Sequence, residues 1–106
     1  KKKRRNITIP HVSLVDVKYD WEEKKLEVIA NADDKDGISI LKGTINGSPV
    51  FSYSANQNKK IPYNEKTKIE LKPGKYILKI KATDSQSDSG YASKEFEVVE
   101  KRWWPW

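Results

Sequence analysis

Residues of types that do chemistry fall in few places along this chain. The stretch Asp33-Asp34-Lys35-Asp36-Gly37 sets carboxylates at alternate positions ahead of a glycine, which suits a loop that wraps a hard cation in oxygen ligands. As a metal site it would use Asp34 and Asp36, with Asp84 or Asp88 as further donors and calcium as the ion. Lys35 inside the loop, and the lack of a bidentate glutamate further on, favour a plainer reading. In that reading the stretch is an inter-strand loop whose aspartates bond nearby backbone while Gly37 supplies a positive φ, and no cofactor is required.

The second place is the end of the chain, where Lys101, Arg102, Trp103, Trp104, Pro105 and Trp106 hold three of the four tryptophans. Indole rings favour the bilayer interface, with neighbouring Lys and Arg meeting lipid phosphates, so this tail reads as a membrane or ligand contact. A tail folded back over a strand edge is the competing reading, and antimicrobial action of the Trp/Pro/Arg kind ranks below both. Trp21 is the third place. It lies in the polar stretch DWEEKK, where an exposed ring could stack on the CH face of a sugar; Phe51, Tyr53, Tyr63 and Tyr91 could widen such a platform, although a small domain needs large rings in its core.

Catalysis finds little support. His11 is the only histidine, there is no cysteine, and the five glycines stand singly with no phosphate-cradling run. The chain is expected to be no enzyme. Two glycosylation triplets, at Asn6 and at Asn46 (the latter disfavoured by Pro49), lend weak support to a secreted chain.

Charge sharpens the picture. Of the 21 Lys and Arg, five open the chain as KKKRR and two sit at Lys101 and Arg102, leaving fourteen between them against all 15 Asp and Glu. The body is therefore nearly neutral and the basicity lies at its ends, unlike a nucleic-acid-binding fold, which spreads cations over one folded face. KKKRR reads as a solvated tail or as a polybasic segment flanking a membrane. No run approaches the ~20 apolar residues of a membrane span. The chain lacks an initiating methionine and a signal peptide, so a mature product or a segment of a longer parent chain is expected.

The elements that must position these residues are strands. Apolar residues alternate in His11–Tyr19, in KKLEVIANA (Leu26, Val28, Ala30, Ala32), in Ile38–Ile45, in Val50–Tyr53, around Ile69 and Leu71, in KYILKIKAT (Tyr76, Leu78, Ile80, Ala82) and in YASKEFEVVE (Phe96, Val98). Asn46-Gly47 and Lys72-Pro73-Gly74 are turn signals, and Asp84–Gly90 is polar. About seven short strands at such spacing predict an antiparallel sandwich, with the outward Lys75, Lys79 and Lys81 marking a wet face.

The stretches ANADDKDGISILKGTINGSP and LKPGKYILKIKATDSQSDSGYASKEFEVV resemble immunoglobulin-like modules of prokaryotic surface and secreted proteins, the bacterial Ig-like, PKD-like and cadherin-like group. The likeness is carried by Ala32, Asp34, Asp36, Gly37, Ile38, Asn46, Gly47, Leu71, Pro73, Gly74, Tyr76, Ala82, Asp84, Phe96 and Val98 and spans about residues 10–99. It implies an immunoglobulin-like antiparallel β-sandwich of about seven strands. It also implies a place at the cell surface. Tyr76 is a candidate tyrosine corner, although its spacing from Leu71 is shorter than in fibronectin-type modules.

The expected organisation is a basic N-terminal tail over 1–9, the sandwich over 10–99 and the Trp-rich tail over 100–106. The expected role is a non-catalytic spacer or interaction module of a larger extracellular or cell-surface protein, membrane-proximal through its tail. Its partners would be a membrane surface or a protein or glycan, with no nucleic acid. The alternatives are a carbohydrate-binding module, an accessory domain of a secreted hydrolase, and a cytosolic juxtamembrane placement in which KKKRR follows a span.

Overall fold

The structure, a computed structural model, describes residues 9–100; KKKRR, the Asn6 triplet and the tail from Lys101 to Trp106, with the roles expected of them, lie outside the described residues. Within that range the protein is all-β, with no helix. Five strands follow one another: β1 (His11–Asp20), β2 (Lys25–Ile45), β3 (Ser48–Lys68), β4 (Gly74–Asp84) and β5 (Ser89–Val98). They form a curled antiparallel sheet in the order β1-β2-β4-β5, with β3 paired to β2.

Short local contacts set each reversal. Asp20 closes the first hairpin: its Oδ1 accepts the amides of Glu22 and Glu23, and its carbonyl accepts the Lys24 amide at 2.8 Å. Asn46-Gly47 makes the second, with φ of 49° and 88°, the left-handed pair that a two-residue hairpin turn demands. The Asn46 side chain also accepts the Ile77 amide at 3.0 Å, which fastens this turn to β4.

The central strand changes neighbours along its length. Lys25–Asp33 of β2 lies between β1 and the stretch from Lys60 to Lys68 of β3, whereas Ile38–Ile45 lies between the near end of β3 and β4. The exchange falls at Asp34–Gly37, where the pairing of β2 with β3 slips. Gly37 is needed there twice over: its φ is +89°, and a Cβ would run into the Gln57 carbonyl, with Gln57 C only 2.9 Å away.

One core fills the curl. Leu26, Val28, Ile38, Leu41, Leu78 and Ile80 are fully buried, each contributing about 1.5–3 kcal/mol by leaving water. The alternation of β1 changes phase midway. Val12 and Leu14 pack toward the core before Val15, Val17 and Tyr19 after it, and Val15 itself is the exposed extra residue of a β-bulge.

Several sequence expectations need correction. The runs Leu26–Ala32 and Ile38–Ile45 lie on one strand, so the described residues form five continuous strands, and Asp33–Gly37 is a kink within β2 instead of a loop between strands. Most of β3 carries too little alternation to read as a strand: beyond Tyr53 only Ala55, Ile61 and Tyr63 are buried. Among the described residues it pairs with β2 alone, and that edge position tolerates Pro62 and the lysines 59, 60, 66 and 68. Ile69 and Leu71 belong to no strand; they pack on the core from the β3–β4 connection. The Tyr19 hydroxyl holds that connection, donating to the Ile69 carbonyl at 2.9 Å and accepting the Leu71 amide at 3.1 Å.

Candidate functional site

The kink in β2 and the turn after β4 meet at one end of the fold. Ser85 joins them: its amide donates to the Gly37 carbonyl at 3.1 Å and its hydroxyl to the Asp36 carbonyl at 2.7 Å. This brings Asp34 and Asp36 from β2 together with Asp84, the last residue of β4, so that one carboxylate oxygen of each lies within 4.8 Å of the others. Asp36 is exposed, whereas Asp34 and Asp84 are 7% and 2% exposed.

The two buried carboxylates organise backbone. Asp34 Oδ2 accepts the Asp36 amide at 3.0 Å, the local turn expected of an aspartate there. Asp84 Oδ1 accepts two amides, from Gln86 at 2.9 Å and Asp88 at 2.8 Å, and so shapes the β4–β5 turn. Asp84 Oδ2 is buried and has no hydrogen-bond partner among the described residues. Asp34 and Asp36 were legible as potential ligands; the third member was one of two equal choices, because Asp84 lies far away in the chain. Asp88 is not in this group.

The second feature is the outer face of β4 and β5. Tyr91 is 54% exposed, with Lys79 Nζ 4.7 Å and Lys81 Nζ 6.0 Å from its ring centre, within the range of a cation–π contact. Lys42, Thr44 and Ile77 extend this surface into a groove of about 490 Å³. The alternating lysines of β4 signalled a wet face; that Tyr91 lies among them follows from its pairing with Lys81 across the β4–β5 ladder.

The other ring candidates are placed differently. Trp21 is half-buried against the core, edge-on to Tyr19 at 6.5 Å with Lys24 Nζ 5.9 Å from its ring. Tyr63 is buried, stacked on Phe51 at 4.8 Å and edge-on to Tyr53 at 5.4 Å. Burial, then the nearby Glu65 carboxylate and Tyr53, pushes the Tyr63 phenol up to about 12. The Tyr76 hydroxyl donates to the Lys72 carbonyl at 2.6 Å, bonding upstream backbone as a corner tyrosine does. His11 stands exposed at the start of β1, paired in register with Asp33. No helix among the described residues is long and apolar enough to cross a membrane.

No protein-family model and no curated protein matches the chain.

Proposed function

We propose that this chain is an immunoglobulin-like β-sandwich module, non-catalytic, that serves as a spacer and interaction unit of a longer surface protein. Support for the sandwich comes from the exchange of partners. If the two halves of β2 and of β3 are counted apart, seven strand segments result. One group is β1 with the first half of β2 and the far half of β3; the other is the near half of β3, the second half of β2, β4 and β5. Two such groups closing on a shared core is the sandwich arrangement.

The observation that carries the spacer reading is the relative direction of the outermost strands. Pro10 lies against Gly90, and Lys94 Nζ donates to the Val15 carbonyl at 3.4 Å, so β1 and β5 run the same way. The described chain therefore enters at the end that carries Asp84 and leaves at the opposite end, beside Gly74, the partner of Val98. A module threaded in this way adds its own length to a chain of modules. The outer face around Tyr91 is the surface left for a partner, and the Trp-rich tail would set the exit end near a membrane.

Two copies joined in tandem, each carrying Ser93→Cys, test this. The native chain has no cysteine to interfere. Spin labels on the two copies should lie at least about 35 Å apart, the length of a strand of ten or eleven residues. A pair separated by clearly less than one module length means side-by-side folding, and the spacer reading fails.

A further inference from the structure

We propose that Asp34, Asp36 and Asp84 form a binding site for a hard divalent cation, calcium by size, which clamps the kink of β2 to the β4–β5 turn. Two observations support it independently. The first is the convergence of three carboxylates, from parts of the chain some fifty residues apart, with oxygens no more than 4.8 Å from one another. Oxygens that share a calcium ion sit about 2.3–2.6 Å from it, so opposite ligands stand roughly 4.6–5.2 Å apart. Magnesium, at about 2.0–2.1 Å, would need the group drawn tighter.

The second is Asp84 itself. It is 2% exposed, its Oδ1 is engaged by two backbone amides, and its Oδ2 is out of water without a hydrogen-bond partner among the described residues. A buried carboxylate oxygen without a donor loses its hydration and recovers nothing for it. A local turn needs only the oxygen that accepts the amides, so the turn does not account for the second one, and a cation does. The donors are all carboxylate oxygen, with no histidine or cysteine in the group, which selects a hard ion over zinc or copper. Like charges at this separation also repel, and a divalent ion converts that repulsion into attraction.

The test uses the full chain freed of metal with a chelator, then titrated with calcium chloride or magnesium chloride while heat and melting temperature are followed. Calcium should bind, and at a hundredfold excess over its Kd should raise the melting temperature by on the order of 10 °C. Asp36→Asn, at an exposed position that costs the fold little, should weaken calcium binding at least tenfold. Asp84→Asn should do the same while keeping an oxygen for the two amides. Asp33→Asn, next to the group but outside it, should bind as the native chain does. The proposal is overturned if millimolar calcium gives neither heat nor a shift in melting. It is equally overturned if Asp36→Asn and Asp84→Asn bind calcium as tightly as the native chain.

Discussion

Gly37 and Gly47 allow the kink in β2 to be dissected by mutation. Both have a left-handed backbone, with φ of +89° and +88°, but a Cβ on Gly37 meets the Gln57 carbonyl group whereas one on Gly47 meets nothing within 4 Å. Gly47→Ala therefore carries only the conformational cost of placing an L side chain in that region, about 1–2 kcal/mol. Gly37→Ala carries the same cost plus that of forcing backbone apart at the point where β2 changes partners. Overpacking of this kind adds about 1–3 kcal/mol, for a total of roughly 2–5 kcal/mol. Against a typical stability of about 5–15 kcal/mol for a domain, that is a large fraction. Urea unfolding of both variants beside the native chain is the assay. The midpoint should fall for both, fall further for Gly37→Ala, and leave the slope unchanged if the unfolded state is unaffected. Equal losses would refute the reasoning, because they would mean that β2 and Gln57 do not approach as described.

The phenol of Tyr63, raised from 10.0 to about 12, makes a pH prediction. The fold favours its neutral form, so the contribution is complete below pH 10 and is lost as pH rises from about 10 through about 12, where the unfolded chain ionises first. The urea midpoint of the native chain should thus fall more steeply over that window than that of Tyr63→Phe; parallel curves would remove Tyr63 as the cause. For the tail, flotation with anionic vesicles should recover the full chain and lose most of it when residues 101–106 are deleted. Unchanged flotation would end the membrane reading.

Local signals were read well from the sequence wherever the physics is local. Asn46-Gly47 names its own turn because two successive positive φ values admit few residue types. Leu26, Val28, Ala30 and Ala32 name a buried face because alternation in a strand has a period of two. The same logic located β1, although the bulge at Val15 breaks its phase, and failed over β3 beyond Tyr53, where an edge strand buries so few side chains that no alternation survives. It also divided β2 in two. Polar residues at Asp33–Asp36 read as a loop, but there they occupy a kink between two sets of strand neighbours.

By itself, then, the sequence determined the β class, the positions of the tight turns, the inward faces of β2 and β4, and two carboxylates ahead of Gly37. Each of these depends on interactions within a few residues. Only the tertiary structure decided that Asp84 joins Asp34 and Asp36, that Tyr91 lies among the lysines of β4, and that Tyr19 reaches across to hold Ile69 and Leu71. Those contacts depend on strand order and register. A one-residue change of register would turn each such side chain to the opposite face, and no spacing along the chain records which register is chosen.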